Sequence, residues 1–283
     1  MPKICLSTYC LFLGMSFREA ILFAVKHGFE GIELLCEIYD AWPAHLTKED
    51  RAFIKDVCGE NRLPLSLHSP SIGNNIASHN PGQKRESIHQ LKETIALAGE
   101  LGGKVLTVHP GRVAFFRLLS DQSDSPYSLK AMKGEAYRFL LDGLRECAHF
   151  AQERGVILCV ENMGHLHNDT IRTVEELRQV IEEVGHPSLK VTLDLSHAHI
   201  EGGISNSIET LHPHIRHIHV SDNFGRESSH LELGKGNIDL RPAVDFLKGF
   251  DGMIVLEVID PVDAEGPVLC SREYLENILS EGL

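Results

Sequence analysis

The sequence predicts an α/β protein, a single (β/α)8 barrel over residues 1–283, and three observations carry that expectation. Short apolar, β-branched runs alternate with longer stretches of helical periodicity, the pattern of parallel strands joined by crossover helices. Eight such runs recur along the chain. No Gly-rich dinucleotide fingerprint follows an early strand, so nothing favours an open doubly wound sheet over a closed one.

The first run, 3–8 (KICLST), has no small-residue cleavage site before Ser16 and Arg18, and it reads as the first strand, not as a secretion leader. Phe17–Gly28 is amphipathic and stops at a glycine, as helices do. Runs 31–36 (GIELLC), 64–70 (PLSLHSP) and 104–110 (KVLTVHP) supply strands two to four, with a helix over Lys84–Gly102 before the fourth. Strand five, 156–163 (VILCVENM), follows the amphipathic stretch Ala131–Gly155, and strand six, 189–197 (LKVTLDLSH), follows Thr173–Gly185. Strands seven and eight, 215–222 (IRHIHVSD) and 253–260 (MIVLEVID), flank Pro242–Phe250. The longest irregular stretch, 111–130 (GRVAFFRLLSDQSDSPYSLK), exceeds ordinary strand-to-helix loops and reads as a functional loop or a tolerated insertion. No Pro/Gly/Ser linker or fixed-period repeat divides the chain, and α/β barrels run to about 250 residues as one unit.

With 42% apolar and 24% charged residues, the composition is globular and excludes disordered and fibrous classes. The net charge of −13 disfavours a surface wrapped in polyanion. Seven cysteines without a Cys-x-x-Cys pair indicate neither a disulfide framework nor a thiolate zinc site, and a reducing cytoplasm is the expected location. No apolar run approaches the ~18 residues of a membrane span.

Active sites of such barrels lie at the C-terminal ends of the strands, so polar residues ending apolar runs are the ones to collect. Strand three ends in His68, four in His109, five in Glu161, six in Asp194 with His197, seven in His219 with Asp222, and eight in Glu257. A lone ionisable group in such a run costs several kcal/mol to bury unless it is paired or coordinated. Gathered at one mouth, these residues make a divalent-metal site, and the imidazole–carboxylate mixture suits zinc or manganese better than calcium. Cobalt, magnesium and iron fit the same donors. His217 is expected to back the site or to pack, and His165, His167, His199, His212 and His214 to be solvated. In the Gly234-Lys235-Gly236-Asn237 turn, Lys235 is placed to meet a substrate phosphate or carboxylate, or merely to turn the chain. Trp42, Tyr39, Phe115 and Phe116 form an apolar wall over a ligand or pack beneath their loops.

The segments SLHSP, TVHPG, CVENM, TLDLSHAHIEGG, HIHVSDN, HLELGKGNID and VLEVID together resemble the xylose isomerase-like TIM barrel superfamily. That superfamily holds sugar phosphate isomerases and epimerases as well as endonuclease IV, the second AP endonuclease family. The resemblance to the isomerases implies a metal held by Glu161, Asp194, His219 and Glu257, with Glu161 and Glu257 as the acid/base pair flanking the carbon whose proton moves. It also implies that His197 contacts a substrate oxygen, and Arg226 lies within about a residue of the position of a substrate-binding arginine. The expected activity is isomerisation or epimerisation of a small sugar or sugar phosphate through a metal-stabilised enediolate.

The resemblance to endonuclease IV, a zinc phosphodiesterase acting on abasic DNA, supplies the alternative. His68, His109, Glu161, Asp194, His197, His219, His230 and Glu257 all retain ligand-type residues for its three zinc ions. Ser228 departs from that pattern, standing where the endonucleases have an aspartate. Ser71 and Ile72 follow His68 where the endonucleases place an aromatic wedge, and such wedges offset the few kcal/mol of unstacking. In a mononuclear isomerase, His68 and His109 either complete a second metal site with Glu161 or hydrogen-bond sugar hydroxyls. A non-catalytic sugar-binding barrel is the remaining reading, and it leaves the paired glutamates without a purpose.

Overall fold

Strands buried on both faces form a parallel barrel here: in a computed structural model describing residues 2–113, 128–163 and 169–280, eight strands close in sequence order, β8 pairing back onto β1. They are β1 (Lys3–Ser7), β2 (Ile32–Leu35), β3 (Leu65–His68), β4 (Val105–Val108), β5 (Ile157–Glu161), β6 (Leu189–Asp194), β7 (Ile215–Val220) and β8 (Met253–Leu256). The helices are α1 (Phe17–Lys26), α2 (Lys48–Glu60), α3 (Pro81–Leu101), α4 (Leu129–Gln152), α5 (Val174–Val184), α6 (Leu195–Glu201), α7 (Ile204–Leu211), α8 (Val244–Gly249) and α9 (Gly266–Ser280).

Local signals set the helix ends. Ser16 with Glu19 and Thr47 with Asp50 form reciprocal capping boxes at α1 and α2, each cap contributing about 1 kcal/mol. Gly102 and Gly185 end α3 and α5 in the left-handed region, where a side chain would be strained.

Alternation along each strand then sorts the side chains. Leu6, Leu34, Leu67, Leu106, Leu158, Leu193 and Ile254 face outward into the layer shared with the helices. Cys5, Met253 and Val255 make a small separate apolar cluster inside the barrel. Above it the interior is polar: Ser7, Glu33, Ser66, Thr107, Thr192 and His217 are all buried, and the Thr107 and Thr192 hydroxyls bond across the barrel at 2.9 Å.

The structure corrects several expected boundaries. The run 189–197 is not one strand: the Asp194 carboxylate accepts from the His197 amide at 2.8 Å, ends β6 and starts α6. His197 therefore sits on the first turn of a helix. His109 and Glu257 stand one residue beyond β4 and β8. Among the described residues there are nine α-helices where one per strand was expected, because α6 and α7 both follow β6. Most of the 111–130 stretch, with Phe115 and Phe116, and also His165 and His167, lies outside the described residues. No helix among them is long and apolar enough to cross a membrane, and all seven cysteines are free thiols, six of them buried.

Candidate metal centre at the barrel mouth

Glu161, Asp194, His219 and Glu257 are brought together from four successive strands, and one ligand atom from each lies within 4.8 Å of the others. All four are buried. His219 Nδ1 lies 3.4 Å from Glu161 Oε1 and 3.4 Å from Glu257 Oε2. Asn162 clamps the next strand, donating to the Asp194 carbonyl at 3.1 Å and accepting from the Asp194 amide at 2.7 Å. Among the described residues, Asp194 Oδ2 is buried without a hydrogen bond. A carboxylate oxygen left in that state beside two further carboxylates is costly unless a cation completes it, so this donor set fits a divalent ion of the zinc or manganese type.

The electrostatics agree. Burial raises the Glu161 carboxyl, but the His109 hydrogen bond and charge, with His219 and His68 behind it, hold it well below the usual carboxylate range. Glu257 is driven the other way, by burial first and by the charges of Glu33 and Glu161 against the opposing His219, up to about 8. Burial disfavours protonation of His219, yet the surrounding carboxylates Glu257, Glu33 and Glu161 raise it well above its ordinary value. The histidine thus answers an excess of negative charge that a bound cation would answer instead.

A second group shares Glu161. His109 Nε2 is 3.0 Å and His68 Nε2 3.5 Å from Glu161 Oε2, and the three offer ligand atoms within 4.8 Å of one another. His68 Nδ1 donates to the Ser69 carbonyl at 2.9 Å, leaving Nε2 toward the carboxylate. On the opposite flank, His197 Nδ1 donates to the Asn162 carbonyl and His230 Nδ1 to the Glu257 carbonyl, both at 2.9 Å. Ser228 Oγ bridges the two rings, 3.1 Å from His197 Nε2 and 3.0 Å from His230 Nε2. The serine that stands in place of an endonuclease carboxylate therefore sits between two imidazoles and can donate its single hydroxyl proton to only one of the two Nε2 atoms. His230 adopts φ +47, which turns its ring back toward the mouth.

These groups line a cavity of about 320 Å³ together with Tyr9, Leu35, Glu37, Ile72, Arg112 and Met163. A neighbouring cavity of about 300 Å³ shares His109, Arg112 and Met163 and adds Asn74, Asn75 and Gln83. Glu37 holds its rim by accepting from the Ser71 amide at 3.0 Å, the Ser71 hydroxyl at 2.8 Å and the Ile72 amide. A groove of about 520 Å³ near the start of β7, lined by His212, Ile215, Asp245, Phe246, Phe250 and Asp251, includes none of the residues gathered at the mouth.

Other expected site residues lie elsewhere. Arg226 is exposed and does not line the cavity. Lys235, with a side chain 67% exposed, faces Glu232 at 3.9 Å. Asp222 is not a ligand: its carboxylate turns back to accept from the amides of Asn223, Gly234, Gly236 and Ile238, pinning the 223–238 loop. Tyr39 and Trp42 do not line the cavity, whose apolar wall comes from Tyr9, Leu35, Ile72 and Met163.

Strand endings did not disclose three contributors: Asn162, Arg112 and Glu33. Arg112 is the only lysine or arginine lining either mouth cavity among the described residues. Its backbone is held at both ends by the Asn75 amide, at 3.0 and 2.6 Å, and its Nε faces buried Asp169 at 3.3 Å. Gly111 precedes it because a Cβ there would lie 2.4 Å from Asn75 Oδ1. Glu33, fully buried, lies one layer below the cavity and accepts from His217 and His219. A charged residue inside the apolar run GIELLC was the available signal.

A sequence model described as a xylose isomerase-like TIM barrel matches residues 21–278. The inosose isomerase of Bacillus velezensis is 22% identical over 293 residues, covering 99% of this chain and 98% of its own. A solved D-tagatose 3-epimerase-like protein superposes with a TM-score of 0.82 at 23% identity, over 98% of this chain and 97% of its own. The solved IOLI protein with a binding zinc atom gives 0.79 at 20% identity, over 98% of each chain.

Proposed function

This chain belongs to the xylose isomerase-like TIM barrel family, and from that premise we propose that it is a divalent-metal-dependent isomerase or epimerase of a small sugar or sugar phosphate. The observation that carries the reading is the pair of buried glutamates, Glu161 and Glu257, each 3.4 Å from His219 Nδ1 at the floor of one cavity. Binding alone needs no such pair; moving a proton from one face of a carbon to the other does.

Glu161, Asp194, His219 and Glu257 would hold a divalent ion, which would supply Lewis-acid polarisation of a substrate carbonyl. Glu161, held ionised by its histidines, is the base that takes the proton from the carbon next to the carbonyl. Glu257, on the opposite side of the same carbon, is the carboxyl group that returns a proton there. His197 keeps its Nδ1 on the Asn162 carbonyl, so Nε2 is the atom turned to a substrate oxygen. His68 and His109 reach substrate hydroxyls or a second ion. Arg112 takes the contact with the far end of the sugar that sequence position assigned to Arg226 and Lys235.

The test loads the protein with manganese or zinc, counts metal per chain, and follows solvent deuterium entering a panel of ketoses and their phosphates. Exchange by the wild type that Glu161→Gln and Glu257→Gln each abolish, with circular dichroism unchanged, is the expected result; a fully active Glu257→Gln enzyme overturns the mechanism. The family's other chemistry has one observation in its favour, the convergence of His68, His109, His197 and His230 on the same cavity. Two or three zinc ions per chain, and nicking of an abasic duplex that disappears in His109→Ala, would replace the isomerase reading with that one.

A further inference from the structure

We propose that Glu33 is a positioning residue for the metal centre: its carboxylate fixes His219 with the ring proton on Nε2 and the Nδ1 lone pair directed at Glu161, Asp194 and Glu257. The inference rests on the metal site of the preceding reading and makes no use of its sugar chemistry.

Glu33 is second in β2, paired in register with Ser66 of β3 and Ser7 of β1, and it points into the barrel with no exposure to solvent. Its Oε2 lies 2.8 Å from His217 Nε2, 3.1 Å from His219 Nε2 and 3.4 Å from Ser66 Oγ, while Oε1 lies 3.3 Å from Ser7 Oγ. An ionised carboxylate can only accept, so both Nε2 atoms carry their hydrogens. A neutral imidazole protonated at Nε2 has its lone pair at Nδ1, and Nδ1 of His219 is the atom lying 3.4 Å from Glu161 and from Glu257. One carboxylate thus decides which nitrogen of His219 faces the other three ligands, and through that bond it raises the basicity of the ligating atom.

His217 explains why the carboxylate stays in place. It is buried on the same strand, one inward-facing position below His219, and its ring stands at 78° to that of His219 with centroids 5.1 Å apart. Its Nδ1 makes no hydrogen bond among the described residues, so its single polar contact there is the one that holds Glu33. Glu33, His217 and His219 could themselves hold an ion, since their ligand atoms lie within 4.8 Å of one another. That reading requires both Nε2 protons to leave a closed interior where the carboxylate is already occupied by four donors, and it would take His219 away from the mouth.

The experiment measures zinc and manganese affinity and stoichiometry of the full-length chain by equilibrium dialysis, for wild type, Glu33→Gln and His217→Gln. Glutamine keeps the shape and one accepting oxygen but loses the charge. The expected result is an unchanged stoichiometry with metal held 10- to 100-fold more weakly in Glu33→Gln, a smaller loss in His217→Gln, and unaltered far-UV circular dichroism. Equal affinity in wild type and Glu33→Gln overturns the proposal, as does a Glu33→Gln stoichiometry lower by one ion, which would make Glu33 a ligand. Should Glu33→Gln fail to fold, histidine ¹⁵N spectra of zinc-loaded wild type decide: His219 protonated at Nε2 and metal-bound at Nδ1 upholds it, and the reverse overturns it. A wild-type chain that binds no divalent ion overturns the metal-dependent function as well, whereas equal affinities leave that function standing.

Discussion

The two halves of the barrel, β1 to β4 and β5 to β8, share one backbone geometry and differ in what they aim at its axis. The second half sends up three carboxylates and an imidazole, Glu161, Asp194, Glu257 and His219, whose ligand atoms crowd within 4.8 Å. The first half sends up His68 and His109, and buries its one interior carboxylate, Glu33, a layer lower, where two histidines and two serines hydrogen-bond it. Negative charge is concentrated where a cation would sit, while the opposing half supplies the Glu33 carboxylate that accepts from His219 and two imidazoles beside Glu161. A barrel can therefore divide binding from positioning by strand number, although all eight strands are equivalent as scaffold.

The largest test of that division removes one ligand from the second half. Asp194→Ala should lose the metal and lower turnover by roughly 10²–10⁴-fold, while His68→Asn should leave metal per chain unchanged and raise KM; loss of an ion in His68→Asn would erase the distinction.

Metal removal sharpens it through pH. Glu257 is raised from its ordinary 4.5 to about 8, and His68, through its bond and charge interaction with Glu161 against the penalty of burial, from 6.5 to about 9. Both hold protons more tightly folded than unfolded, so the stability they contribute is present at low pH and lost as pH rises through 8 and 9. Chelated protein should melt progressively lower between pH 6 and pH 9, with Glu257→Gln flattening the slope. Saturation with metal, at about 100 times its Kd, should restore about 2.7 kcal/mol, and equal melting temperatures with and without metal would remove this electrostatic account.

Asp222, beside the site but turned away from it, makes the control. Asp222→Asn places an amide group against backbone N–H donors and should destabilise by about 1–3 kcal/mol without changing metal affinity, measured by denaturant unfolding and dialysis. The smallest expected effect belongs to Arg112. Arg112→Ala should raise KM about tenfold at nearly constant kcat, as loss of one contact made equally in ground and transition states does; a fall in kcat alone would place Arg112 at the reacting carbon.

Most of the second half's chemistry was legible in the sequence, because a carboxylate that ends an apolar strand is costly to bury unless a cation or a donor meets it. Glu161, Asp194, His219 and Glu257 stand where such residues must converge. The first half was less legible. Glu33 lies in the middle of its run, and only the alternation of inward and outward positions distinguishes it from a surface charge. Asp222 and His230 show the opposite limit. Each follows a strand in a loop, and nothing in their spacing says that one turns back onto four amides while the other turns toward the mouth.

What the sequence by itself determined was the succession of strands and helices and the residues that end each strand, since burial of parallel strands demands apolar runs and ionisable groups within them stand out. The tertiary structure alone decided which of those groups share a cavity. Closure of β8 onto β1 puts Glu33 beneath His219, 186 residues apart in sequence, and loop hydrogen bonds, not periodicity, direct Arg112 inward and leave Arg226 in solvent. Periodicity fixes which face of a strand a side chain leaves from, whereas the pairing of strands distant in sequence fixes what it meets.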